Sequence, residues 1–222
     1  MNGEATLEST NSFSIKKTLY FIIKRLFDIV CSLIGCIFLL PIALIVKISY
    51  VLNKDYASIF FSQDRIGKNG KTFKFYKFRS MVVDADKILE ELLKNDKEAR
   101  KEYKLNRKFK NDPRITKMGK ILRRTSLDEL PQLVNVLKGD MSLIGNRPYL
   151  PREKEDMGQY FDTIVKTKPG LTGYWQVNGR SNTTFEERLK LEEYYSNHAS
   201  LKMDIKILFK TVYVVLFHKG AE

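Results

Sequence analysis

Cysteine and histidine are scarce in this chain, two of each in 222 residues. Cys31 and Cys36 lie inside one apolar run, and His198 and His218 stand far from them. That spacing makes no metal motif, and the cysteines read as small buried hydrophobes of a reducing compartment. Acid is the charge in deficit: 26 Asp+Glu against 39 Lys+Arg leave a formal net charge of +13. Such a surface attracts nucleic acid, acidic headgroups or phosphorylated substrates, and charge alone does not choose among them. Repeats and long linkers are also lacking. A hydrophobic content of 43% argues against wholesale disorder. One domain of ordinary size with an appendage fits these bounds.

The longest stretch without charge runs from Ile29 to Val46. It is about 18 residues, at the lower edge of what spans a bilayer as a helix. It starts too late for a signal peptide, and no small-residue cleavage site follows. Pro41 sits inside it and removes a backbone donor. Both flanks are basic: Lys16, Lys17, Lys24 and Arg25 before, Lys47 and Lys54 after. The positive-inside rule then draws both ends to the cytoplasm. A helix broken at Leu40–Pro41 that re-enters the same face satisfies both facts. A kinked through-span and a buried soluble helix are the alternatives. Asp28 is expected at the headgroup level, since an ion deeper in lipid is costly.

The remaining organisation follows from pattern. Residues 1–14 are polar and predicted disordered. Alternating residues around Asn69-Gly70 predict a short β-hairpin. There Lys71, Lys74, Lys77 and Arg79 interleave with Phe73, Phe75, Tyr76 and Phe78. That alternation suits stacking on nucleic acid, or lysines on one face with aromatics in a core. Helical spacing predicts a helix from Asp84 to about Lys110, a short one capped by Thr116, and another from Ser126–Asp128 to Lys138 stopped at Gly139. "KTKPGLTGYWQVNGRSN" reads as a loop, and an amphipathic helix follows with Thr183 or Thr184 as cap. The last segment, apolar with spaced lysines, reads as a core helix or an interfacial one. The fold class is therefore mostly α with a small β-hairpin, α+β. The expected division is a disordered 1–14, a membrane helix over 15–52, re-entrant or one of its alternatives, and a catalytic or binding domain over 53–222 carrying interfacial amphipathic helices.

"RRTSLDELPQLVNVLKGDMSLIGNRP" holds the chemistry-bearing pattern. Asp128 and Glu129 are adjacent, and Ser126-x-x-Glu129 fits a capping box with acids favoured at a helix start. Against that plain reading stand Arg123, Arg124 and Arg147, whose forks match phosphates. Paired carboxylates beside phosphate-binding arginines also suit Mg²⁺. Phosphoryl transfer is the chemistry such a set supports, and a carboxylate can be its nucleophile.

"KRLFDIV", "RIGKNGKTFKFYKFRSM", "NDPRITKMGKILRRTSLDELPQLVNVLKGDMSLIGNRP" and "KPGLTGYWQVNGR" occur in this order. Over nearly the whole chain after residue 15 they resemble the bacterial sugar transferases, the monotopic polyprenyl-phosphate phosphoglycosyl transferases. The resemblance implies a re-entrant helix broken at Leu40–Pro41. It implies transfer of a hexose-1-phosphate from a UDP-sugar to undecaprenyl phosphate, with release of UMP. This is the priming step of exopolysaccharide, capsule or O-antigen assembly.

By the same resemblance, Asp128 is the covalent nucleophile and holds Mg²⁺, and Glu129 assists as acid, base or metal partner. Arg123 and Arg147, with Lys77 and Arg79, are expected on substrate phosphates. Gly173, Trp175, Gln176 and Arg180 are expected in a nucleotide-sugar loop, where Trp175 either stacks on a base or packs.

The expected place is the cytoplasmic face of a bacterial inner membrane. The expected partners are the UDP-sugar, undecaprenyl phosphate and membrane lipid, with homodimerisation open and no nucleic acid. Two positions depart from the family pattern: Gly145-Asn146-Arg147-Pro148 has Asn146 in place of a proline, and Leu40 stands where some members have serine. Many longer relatives carry an N-terminal helical bundle; this chain is expected to resemble the minimal catalytic unit. The competing class is a membrane-tethered basic protein that binds nucleic acid or acidic lipid without catalysis. Paired acids beside the arginines speak against it.

Overall fold

The computed structural model describes residues 2–106, 109, 111–179 and 183–216. In chain order the elements are α1 (Asn2–Leu52), β1 (Phe60–Ile66), β2 (Thr72–Phe78), α2 (Ala85–Asn95), α3 (Lys97–Asn106), α4 (Lys117–Arg124), α5 (Gln132–Lys138), β3 (Ser142–Ile144), α6 (Lys154–Met157), α7 (Phe161–Ile164), β4 (Gly170–Thr172), α8 (Tyr174–Asn178), α9 (Phe185–His198) and α10 (Leu201–Leu216). The protein is mostly helical, as composition and periodicity predicted.

Its first helix departs from one expectation. α1 begins at Asn2, where a disordered segment was predicted through residue 14. Once a helix is nucleated, each further residue adds one hydrogen bond, so a polar stretch free of proline extends it. Pro41 also lies inside α1 without ending it. Proline removes only its own donor, here to the Ile37 carbonyl, and the apolar residues on both sides keep the remaining ladder. The segment Lys17–Leu52 is long and apolar enough to cross a membrane, judged by length and composition. Its outer face is open: Leu40 is 73% exposed and Ile37 68%.

The chain folds as two compact units. One comprises Met1–Phe38, Ser62–Phe75 and Gln132–Glu222; the other comprises Leu39–Phe61 and Tyr76–Pro131.

In the first unit, β3 and β4 pair in parallel, with Ser142 opposite Gly170 and Ile144 opposite Thr172. Sequence reasoning predicted a loop over this second strand. Three-residue strands are too short for a period-2 signal, and Gly170 and Pro169 read as turn formers. Ile66, Tyr149, Met157, Ile164 and Leu189 form one buried cluster of this unit, and Ile144, Tyr195 and Ile207 another. Asp28 is held inside the protein. It is 3% exposed, and its Oδ1 accepts from Ser142 Oγ at 3.0 Å and Leu143 N at 2.8 Å. Charge-assisted bonds of this kind contribute about 1.5–3 kcal/mol each, so Asp28 ties α1 to β3. α9 begins at Thr184 with a capping box completed by Glu187. That box satisfies two otherwise orphaned donors.

In the second unit the residues predicted as one helix after Asp84 form two, α2 and α3. They are separated at Asp96, whose Oδ1 accepts from the nitrogens of Glu98 and Ala99 and so starts the second. α4 starts at Thr116, whose hydroxyl accepts from Gly119 N at 2.8 Å. Gly119 is required there by close approach: a Cβ on it meets Ser80 O at 1.9 Å. Ser80 O also accepts from Thr116 N, so strand exit and helix entry are locked together.

Replacing a helical glycine by alanine ordinarily gains up to about 1 kcal/mol. At Gly119 the sign reverses, because the Ser80 backbone cannot yield. Gly119→Ala lowers stability by about 1–3 kcal/mol, seen as a lower thermal midpoint in detergent. An unchanged or higher midpoint contradicts the close approach.

Candidate active site

The acid pair lies on a single 3-10 turn, Leu127–Glu129, not on an α-helix start as the capping-box pattern suggested. Ser126 before it is left-handed, φ 57°, and makes no side-chain cap; α5 proper begins at Gln132. The turn presents both acids to one cation. Lys77 on β2 places its Nζ 2.7 Å from Glu129 Oε1 and 3.6 Å from Asp128 Oδ2. Asp128 is buried, while Glu129 stays open to solvent. Burial pushes the Asp128 carboxyl above the usual range, Lys77 pulls it down, Glu129 pushes it up and Arg123 pulls it down. The buried acid is thus short of solvation and leans on neighbouring cations. Arg123 comes from the last turn of α4 and is held by its Nε donating to Ser80 Oγ at 2.9 Å.

Among the described residues no three acid, histidine or cysteine side chains gather to hold a metal. A Mg²⁺ ion seldom needs them: it takes one or two carboxylates and completes its shell with phosphate oxygens and water. Asp128 and Glu129 already converge on one cation, Lys77, so the donor set fits such an ion.

Arg79 departs from its predicted role. Its Nε donates to Ser58 O, its Nη1 to Met81 O and its Nη2 to both Asp55 oxygens at 2.9 and 3.0 Å. The Tyr50 ring lies 4.4 Å from its guanidinium carbon. A guanidinium so occupied is a structural tie between the strand end and the chain after α1, not a phosphate clamp.

Arg147 and the predicted nucleotide-sugar loop lie in the first unit and form a cluster of their own. Arg147 N donates to the Glu192 carboxylate at 3.0 and 3.2 Å, and its guanidinium lies 5.8 Å from the Trp175 ring. On the same ring system Arg188 lies at 4.3 Å. Trp175 is buried and donates from Nε1 to Thr183 Oγ1 at 2.8 Å, so it packs here as a platform between two arginines. Gly173 permits a close crossing, since a Cβ there meets Gly145 O at 1.9 Å. Gln176 follows on α8, and Arg180 lies outside the described residues.

Asn146 accounts for the missing proline. Buried to 2% exposure, its Nδ2 lies within hydrogen-bond distance of Ile164 O, Thr167 Oγ1 and Ser196 Oγ. Side-chain hydrogen bonds hold the turn where a ring would otherwise have set φ.

Sequence reasoning missed Arg188, Glu192 and Tyr149 of this cluster. Arg188 and Glu192 stand four residues apart beside Leu189 on α9. That spacing places charges on a helix's inner face, the one signal that was available.

Comparison with known proteins identifies the family. The model of the bacterial sugar transferase family matches residues 19–218, and the chain belongs to that family. It is 47% identical over 199 residues to the undecaprenyl-phosphate galactose phosphotransferase of Salmonella typhimurium, covering 90% of this chain and 41% of that protein. It is 39% identical to the exopolysaccharide production protein ExoY of Sinorhizobium fredii, covering 89% and 87%. With the UDP-glucose:undecaprenyl-phosphate glucose-1-phosphate transferase of Escherichia coli K12 it shares 36% identity over 90% of this chain and 41% of that one. The chain thus spans less than half the length of the first and third of these relatives.

Burial pushes the Glu192 carboxyl up to about 8, against about 4.3 in an unfolded chain. Between those values the folded protein retains a proton that the unfolded chain has released. Stability therefore declines as pH rises through that window. Glu192→Gln, which keeps an acceptor for Arg147 N, flattens the decline of the thermal midpoint. An identical pH dependence in both proteins removes Glu192 as its source.

Proposed function

We propose that this protein transfers a hexose-1-phosphate from a UDP-sugar to undecaprenyl phosphate, at the cytoplasmic face of a bacterial inner membrane. The observation that carries this reading is the buried Asp128, facing Lys77 beside Glu129 and Arg123. The family and the names of the relatives supply the substrate classes. α1 anchors the chain by entering and returning to one face, with Pro41 weakening the ladder where it bends and basic flanks holding both ends inside.

The reaction has two displacements. An Asp128 oxygen attacks the sugar-bearing phosphorus of the donor, a new P–O bond forms, and the bond to UMP breaks. UMP departs with that electron pair. An oxygen of undecaprenyl phosphate then attacks the aspartyl-bound phosphorus, forming the diphosphate link and freeing the Asp128 carboxylate.

Burial makes the carboxylate a poorly solvated, more reactive anion once it is ionised. Lys77 offsets its charge without consuming it. Arg123, fixed by Ser80, meets the non-reacting phosphate oxygens. Glu129, open to solvent, moves a proton or shares the metal. Mg²⁺, when bound by Asp128 with help from Glu129, offsets the repulsion between the carboxylate and its phosphorylated substrates. Arg147 beside Trp175 belongs to a cationic, aromatic platform of the first unit, of a kind suited to a nucleotide.

Asp128→Asn removes the nucleophile. It lowers transfer of labelled sugar phosphate into lipid by roughly a thousandfold or more, the scale at which a nucleophile counts in covalent catalysis. In the same protein the thermal midpoint at neutral pH rises, because a buried charge with an elevated pKa has been removed. Full transfer by the variant, or no sugar-phosphate adduct on the peptide containing Asp128 after rapid quench, rejects the covalent route. Chelation of divalent ions abolishes transfer and Mg²⁺ restores it; chelator-resistant transfer rejects the metal.

A further inference from the structure

The first unit contains a second cationic site, which shares no residue with the Asp128 cluster. A cavity of about 170 Å³ opens beside α1, walled in part by Phe21, Arg25, Asp28, Lys68 and Lys168. A single buried water needs about 10–15 Å³ on such a measure, so a phosphate group has ample room.

The charges on its wall do not balance. Asp28 is the acid that faces it, and that carboxylate already accepts from Ser142 and Leu143. Lys24 is paired with Asp204. Arg25 donates to the carbonyls of Val136 and Leu137, at 2.6 and 2.8 Å, and these carry no net charge. Lys68 lies 5.7 Å from the Phe21 ring centre. The Lys168 ammonium has no hydrogen-bond or ion-pair partner among the described residues.

Arg25 Nη2 and Lys168 Nζ both lie 3.4 Å from where a side chain on Gly139 would begin, so they are within twice that distance of each other. Burial first, and the Arg25 guanidinium next, hold the Lys168 ammonium below the ordinary lysine range. Half-buried like charges in excess of the acids beside them are costly to assemble. A dianionic or monoanionic phosphate placed among them relieves both the desolvation and the repulsion.

The adjoining surface decides the source of that phosphate. Leu19, Ile22 and Leu26 of α1 are 52–59% exposed and lie on the helix that carries Arg25. The geometry points to a binding site for the headgroup phosphate of an acidic phospholipid, held by Arg25, Lys68 and Lys168, with the acyl chains along the exposed apolar face of α1. This site seats the protein on acidic lipid whether or not the transfer chemistry is as proposed above.

Lysine footprinting tests it on the full chain in neutral detergent. Acetic anhydride labels accessible amines, and peptides are counted by mass spectrometry. Dihexanoylphosphatidic acid slows acetylation of Lys168 but not of Lys202 on α10, and dihexanoylphosphatidylcholine slows neither. Lys68→Gln, at an exposed residue, raises the half-protecting concentration roughly threefold, as expected for one solvent-screened charge contact. Equal protection by inorganic phosphate alone makes this a free-phosphate site and overturns the lipid assignment. Absence of protection, or equal protection of Lys202, overturns the site. Transferase activity enters none of these readings, so failure here and failure of the Asp128 mechanism are separable.

Discussion

A single lysine ammonium decides what the acid pair is for. Two carboxylates on one 3-10 turn repel, and burying one of them costs several kcal/mol in lost solvation. Lys77 offsets both at once, at 2.7 Å from Glu129 and 3.6 Å from Asp128. The longer contact leaves Asp128 incompletely neutralised. Under the function proposed above, that residual need for positive charge would be met by a divalent ion brought in with a phosphorylated substrate. A fully paired Asp128 would be a structural salt bridge, and a solvated one a weak nucleophile.

The neighbouring groups serve the same end by being fixed. β2 delivers Lys77, and immediately after it Arg79 ties the strand end to Asp55 and Tyr50. Ser80 then orients Arg123 through its hydroxyl and admits Gly119 of α4 against its carbonyl. Four consecutive positions, 77 to 80, thus include a charge partner, a tie and an orienting hydroxyl. In the first unit, Glu192 receives the Arg147 backbone nitrogen while Trp175 lies between two arginines. There too the polar groups hold one another in place ahead of any ligand.

Local signals carried the reading where the physics was local. Thr116 and Thr184 as caps, and the Asn69-Gly70 turn between strands, needed no tertiary information, because their hydrogen bonds close within three or four residues. Arg79 failed that test: a basic residue among aromatics looks the same whether it waits for phosphate or binds Asp55, a residue 24 positions away. The tie made by Asp28 was likewise missed, since its partners Ser142 and Leu143 lie more than a hundred positions along the chain. The pairing of β3 with β4 escaped notice for the same reason, three residues each being too few to show a period.

By itself the sequence determined a basic, mostly helical protein with one segment long and apolar enough to cross a membrane and an acid pair among arginines. Those properties follow from composition, run length and near-neighbour spacing. Tertiary structure alone decided which cations meet the acids, that Asp128 is the buried one of the two, and that Lys24 is paired while Lys168, among the described residues, is not. The physical reason is that solvation and Coulomb energy depend on distances between residues far apart in the chain, and no pattern along the sequence encodes those distances.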